Sequence, residues 1–127
     1  MDSSARNVKD KSYQFALRII KLYKFLTDEK REFVLSKQIL KSGTSIGANI
    51  EEANAGQTKK DFLAKMSVAS KEARETTYWL KLLRDSGFLQ ERLAKSIIND
   101  AEELRKMLTS IVKTTQQTLK SRVGKGN

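Results

Sequence analysis

Apolar residues recur along this chain at spacings of three and four, with charged and small polar residues between them. That is the rhythm of amphipathic helices, and no segment shows the period of two that a half-buried strand needs. A first helix is expected over about Ser12 to Thr27, with Phe15, Ile19, Leu22 and Leu26 on one face and Ala16, Ile20 and Tyr23 widening it. The polar run Asp28-Glu29-Lys30 separates it from a second helix, expected from about Arg31 to Ala55. The seam of that helix is Leu35, Ile39, Ser42, Ile46, Asn49 and Ala53, so two of its positions are polar. Gly43 and Gly47 lie inside it, each costing roughly 1 kcal/mol relative to alanine. A helix that keeps both is expected to have a close neighbour or a bend there. Gly56 is placed to cap its end.

Thr58 and Asp61 stand in capping-box register ahead of a third helix. Its seam, Phe62, Met66, Ala69, Ala73, Thr76, Leu80 and Leu83, is flanked by Val68, Trp79 and Leu82, and Gly87 ends it. A fourth helix is expected from near Gln90 to about Lys120, with Leu93, Ile97, Ala101, Leu104, Leu108 and Ile111 as its stripe. The connections are short, so neighbouring helices should run antiparallel. The expected fold is all-α, an antiparallel up-down four-helix bundle. Residues 1–11 are expected to form a flexible N-terminus, 12–120 the bundle, and 121–127 a basic, frayed tail. Several apolar faces are wider than one seam. Trp79, Phe88, Ile98 and Val112 are the surplus; large exposed apolar surface marks interfaces, so they are the expected oligomer contacts, the alternative being that a broad stripe fills a wide core.

Composition narrows the function. A length of 127 residues fits one domain, and Cys, His and Pro are all absent. There is therefore no disulfide framework, thiolate zinc site, cysteine nucleophile or Ser-His-Asp triad. No apolar run approaches the roughly 18 residues of a membrane span, and the polar start carries no apolar signal segment. These features point to the cytoplasm. The carboxylate pairs Glu51/Glu52, Glu72/Glu75 and Glu102/Glu103 alternate with Lys and Arg at helical spacing, which describes a solvated charged face. The glycines are not followed by the Lys-Ser/Thr of a phosphate loop. No catalytic constellation, metal site or cofactor is expected.

Charge is the remaining lead. The chain carries 25 Lys and Arg against 15 Asp and Glu, a net charge of +10. No acid follows Glu103. Lys59 and Lys60 open the third helix, where free amides also favour phosphate. Lys106, Lys113, Lys120, Arg122 and Lys125 populate the C-terminal stretch. These seven are the candidate nucleic-acid contacts. The aromatic residues look helix-bound, so binding would be led by the phosphate backbone with little sequence preference.

The most distinctive stretch is Ser45-Ile46-Gly47-Ala48-Asn49-Ile50-Glu51-Glu52-Ala53, followed by Thr58-Lys59-Lys60-Asp61-Phe62-Leu63, then Ala69, Glu75, Leu80 and Gly87-Phe88-Leu89. It resembles the bacterial four-helix-bundle family encoded in intervening sequences of large-subunit ribosomal RNA genes. The family pattern reads Ser-Ile-Pro-x-Asn-Ile-Ala-Glu-Gly, then Ser-x-x-Glu-Phe, ending Gly-Tyr-Leu. The chain departs from it at Gly47, Glu51, Ala53, Asp61 and Phe88, and Gly47 in place of proline implies a different local bend. Ser45, Asn49, Glu52, Asp61 and Phe62 fall on the motif. The polar stripe among them is either a contact site or a set of hydrogen bonds across helices or subunits that fixes register. The resemblance implies a ring-like homopentamer. It also extends to the accessory variability protein of diversity-generating retroelements, a basic pentamer that binds a reverse transcriptase and nucleic acid.

The expected function is thus a non-enzymatic nucleic-acid-binding accessory protein, with RNA or DNA, a second copy of itself and a reverse transcriptase as partners, and no membrane. A protein-interaction scaffold is the alternative, and an enzyme with an all-carboxylate metal site a third, weaker one.

Overall fold

The computed structural model describes residues 3–126, with side chains from 7 to 122. Four helices follow one another: α1 (Ser3–Asp28), α2 (Leu35–Ala55), α3 (Lys59–Asp85) and α4 (Glu91–Gly126). Each consecutive pair packs together, and α1 also meets α4, less extensively, to close the bundle. Pairs across the helices fix their directions. Lys9 meets Glu51, whereas Ile19 faces Gly43. Lys65 meets Glu52 at 2.8 Å, whereas Thr76 meets Ser42. Lys11 pairs with Glu103, and Arg18 with Asp100 at 2.7 Å. In each case rising numbers on one helix meet falling numbers on the other, so these neighbours are antiparallel.

The first helix begins at Ser3, well before Ser12. The reason lies in the seam, which continues backwards at the same rhythm through Ser12 and Val8, both buried. From residue 8 onward the stretch expected to be flexible is therefore part of the bundle. The start of α2 moves the other way, from Arg31 to Leu35. Arg31 has φ +53°, which a helix cannot include. Glu32 then caps the helix from outside. Its carboxylate accepts from the backbone N–H groups of Val34, Leu35 and Ser36 at 3.2, 3.0 and 2.7 Å, and the Ser36 hydroxyl donates to the Glu32 carbonyl. Burial alone would raise the Glu32 pKa, but those N–H donors outweigh it and hold the carboxyl below its ordinary value.

At the start of α3 the Thr58 hydroxyl accepts from the Asp61 N–H at 3.0 Å, the cap the sequence implies. Its end is a Schellman turn. Phe88 N–H donates to the Leu83 carbonyl, Gly87 N–H to that of Arg84, and Gly87 sits at φ +86°. Gly56 does follow α2, but with extended backbone, φ −66° and ψ 148°. Its small size matters instead, since a β-carbon there would lie 3.1 Å from that of Asp61.

The core follows the anticipated seams. Phe15, Ile19, Leu22 and Leu26 of α1, Ile39, Ile46 and Ala53 of α2, Met66, Ala69, Ala73, Thr76, Leu80 and Leu83 of α3, and Ile97, Ala101, Leu104 and Leu108 of α4 are all buried. Leu93, in the first turn of α4, is instead exposed, and Ala94 takes its place in the core. The four residues expected at an oligomer contact also pack against their own chain. Ile98 is buried, and Trp79, Phe88 and Val112 are half-buried against the core of their own chain. Four-helix packing takes a stripe wider than one seam, and these residues supply its edges.

Candidate nucleic-acid interface

The two glycines of α2 bring α1 close. A β-carbon at Gly43 would stand 2.8 Å from Cγ1 of Ile19, and one at Gly47 would stand 3.3 Å from the Ser12 hydroxyl. The polar stripe beside them acts differently from the expectation of cross-helix bonds. Ser45 donates to the Lys41 carbonyl at 2.6 Å, and the Asn49 amide to the Ser45 carbonyl at 2.8 Å, both within α2. One turn back, a carbonyl is always within reach of a short polar side chain. The buried side-chain bond between α2 and α3 is instead the one between Ser42 and Thr76, at 2.9 Å. Thr76 spends its proton on the Glu72 carbonyl, so Ser42 is the donor in that pair. Periodicity places Ser42 and Thr76 on their seams but does not pair them. Their shared polarity at facing seam positions was the available signal. Glu52 meets Lys65 on α3, while Asp61 and Phe62 belong to the first turn of α3.

The carboxylate pairs are taken up by cations and donors. Glu51 meets Lys9, Glu52 meets Lys65, Glu102 meets Arg105 and Glu103 meets Lys11. Glu75 accepts from the Trp79 indole at 3.3 Å. The Glu72 carboxyl is raised, first by burial and then by the Glu75 charge, with Lys41 and Lys71 opposing. Among the described residues no three His, Cys, Asp or Glu side chains converge as a metal cluster would require.

The ion pairs therefore engage Lys9, Lys11, Arg18, Lys65, Arg84 and Arg105. The candidate cations are a different set. Lys59, Lys60, Lys106, Lys113, Lys120 and Arg122 are all exposed, and none makes a salt bridge among the described residues. The side chain of Lys125 lies outside the described residues. Lys106, Lys113 and Lys120 are successive sevenths along α4, so they drift only about 20° per step and stand nearly in line. At 1.5 Å per residue they are about 10.5 Å apart, close to three nucleotide steps of about 3.4 Å. Lys59 and Lys106 face a common cleft, and Arg122 lines a shallower depression that shares Thr114 and Thr118 with it. The bundle end that holds the α2–α3 turn and the far half of α4 thus carries unpaired positive charge.

Residues 5–110 match the family model for the 23S rRNA-intervening sequence protein. The chain belongs to that family. A solved structure of a protein of unknown function from the S23 ribosomal protein family of Bacteroides thetaiotaomicron is 54% identical, with a TM-score of 0.85. The alignment covers 87% of this chain and 98% of that one. No curated protein matches the chain. The family match ends at residue 110, so Lys113, Lys120 and Arg122 lie beyond it. The described helices include none long and apolar enough to cross a membrane.

Proposed function

We infer that this intervening-sequence protein is a non-enzymatic accessory protein that binds RNA or DNA through phosphate contacts on the basic end of its bundle. One observation carries the reading. Lys59, Lys60, Lys106, Lys113, Lys120 and Arg122 are exposed, make no ion pair among the described residues, and gather where the start of α3 meets the far half of α4. No acid follows Glu103, so no carboxylate on the far half of α4 offsets that charge. Helical register supplies a straight row, which suits a strand backbone and reads no bases. A reverse transcriptase as protein partner rests on the resemblance to the accessory variability protein alone.

The test is binding of the purified chain to structured RNA and duplex DNA across a salt series. Phosphate neutralisation gives a negative slope of log K against log salt, close to one unit per contact on duplex DNA. Lys113→Glu with Lys120→Glu should lower both the affinity and the slope. Absence of binding at low salt overturns the reading.

A second reading, a self-associating scaffold, is favoured by a specific surface. Tyr13, Leu17 and Ile20 step along α1 by four and three and are 64%, 45% and 37% exposed. This strip is an exposed apolar surface on which a ring of copies can meet. The two readings are compatible, because a ring would multiply the charge of each basic end.

A further inference from the structure

Where α2 turns into α3, the bundle opens into a cleft of about 670 Å³ against α4. That size falls in the roughly 300–1,000 Å³ range of small-molecule sites. Its chemistry is mixed in an ordered way. Phe62 of α3 and Met107 and Ile111 of α4 pack against the core and give it an apolar wall. Lys59 and Lys106 stand at it with no carboxylate partner among the described residues.

Asn54 is the third part. It lines the cleft, and its amide nitrogen is buried with no hydrogen-bond partner among the described residues. Its neighbours in sequence are Ala53 and Ala55, and alanine is the better helix former. An unmade buried donor is a cost to folding. An acceptor brought by a ligand removes that cost.

We propose that this cleft is a nucleotide site, in which a base lies on Phe62, Met107 and Ile111, its acceptor edge meets the Asn54 amide, and its phosphate lies between Lys59 and Lys106. The first-turn amides of α3 add to the positive potential at the phosphate. The proposal rests on the nucleic-acid reading above and deepens it. The row on α4 holds a backbone, and the cleft holds one nucleotide. Two sources share this chemistry, the terminal nucleotide of a strand and a free mononucleotide.

The test is calorimetric titration of the full chain with AMP, adenosine and inorganic phosphate, together with binding of circular and of linear 5′-phosphorylated single-stranded DNA. AMP should bind saturably, one per chain, at least tenfold tighter than adenosine or phosphate. Asn54→Ala should fold at least as stably as the parent yet bind AMP at least tenfold more weakly, an outcome that a purely structural asparagine would not give. Ser110→Trp, a filling change from an exposed position on the cleft, should abolish AMP binding and leave binding of circular DNA intact. Absence of saturable AMP binding, or AMP binding undiminished in Ser110→Trp, overturns the proposal. Linear strands that outbind circles and are displaced by AMP identify the strand end as the ligand, whereas equal binding identifies the free nucleotide. Salt-dependent strand binding without AMP binding sinks the cleft alone. AMP binding without strand binding sinks the basic interface alone.

Discussion

Gly43 on α2 faces Ile19 on α1 so closely that a β-carbon would stand 2.8 and 2.9 Å from the two γ-carbons of Ile19. Ile19 is fully buried and β-branched, so it has little freedom to move aside. Alanine would gain roughly 1 kcal/mol of helix propensity at this site, but overpacking a tight core costs about 1–3 kcal/mol. Gly43→Ala is expected to lower the urea midpoint. Gly47→Ala meets the Ser12 hydroxyl at 3.3 Å and its carbonyl oxygen at 3.6 Å, a looser approach, and should lose less stability than Gly43→Ala. Equal losses in both variants would contradict a close approach centred on Gly43.

Much of this contact was legible in the sequence. Two glycines inside a helical seam imply a close neighbour, and the heptad rhythm gave the core of all four helices. The N-terminal extension was less legible because Val8 is a lone apolar residue among polar ones, and only its spacing from Phe15 shows that it continues the seam. The start of α2 depended on one left-handed residue, Arg31, which periodicity does not report. The candidate cations could be counted in the sequence, but which of them stay unpaired depended on the other helices. Arg18 and Lys11 are spoken for by Asp100 and Glu103, more than eighty positions away.

The buried hydroxyl pair Ser42–Thr76 ties α2 to α3 in the absence of any other buried side-chain bond between them among the described residues. Thr76→Val keeps the shape and removes the acceptor. The stranded Ser42 donor should cost about 1–3 kcal/mol. Adding Ser42→Ala removes the stranded group, so the double variant should recover part of that loss. A chemical-denaturation double-mutant cycle measures the coupling, and strictly additive losses would show that the pair acts as two independent hydroxyls.

Glu32 makes the stability depend on acid. Its folded pKa is held low by the backbone donors of Val34, Leu35 and Ser36, against the opposing effect of burial. A depressed carboxyl contributes stability in full above its unfolded value, and that contribution is lost as the pH falls through the lowered folded value. Glu32→Gln should therefore cost about 0.5–2 kcal/mol near neutral pH, the range for losing a helix cap. The gap between parent and variant should narrow below about pH 4. A gap that stays constant across that range would show that charge has no part in the cap. Glu72 has the opposite sign, because its raised pKa makes ionisation unfavourable in the folded chain. Glu72→Gln should then gain stability relative to the parent as the pH rises past the carboxylate range.

The exposed strip of α1 makes the last prediction. Tyr13, Leu17 and Ile20 lie outward, while Phe15, Ile19 and Leu22 of the same helix fill the core. Leu17→Glu therefore changes the surface without touching the bundle, and its effect on the denaturation midpoint of a lone chain should stay within about 0.5 kcal/mol. If copies meet through this strip, a buried unpaired carboxylate is strongly disfavoured at their contact, and sedimentation should show the variant at a lower mass than the parent. Trp79→Ala makes the complementary case. Trp79 packs against its own core, so its loss should lower stability by about 1–3 kcal/mol, less than the about 3–5 kcal/mol of a fully buried aromatic. Its effect on mass should appear only where the chain begins to unfold. The reverse pattern, with Leu17→Glu leaving the mass unchanged and Trp79→Ala dissociating a folded assembly, would return the interface to the residues that the sequence first suggested.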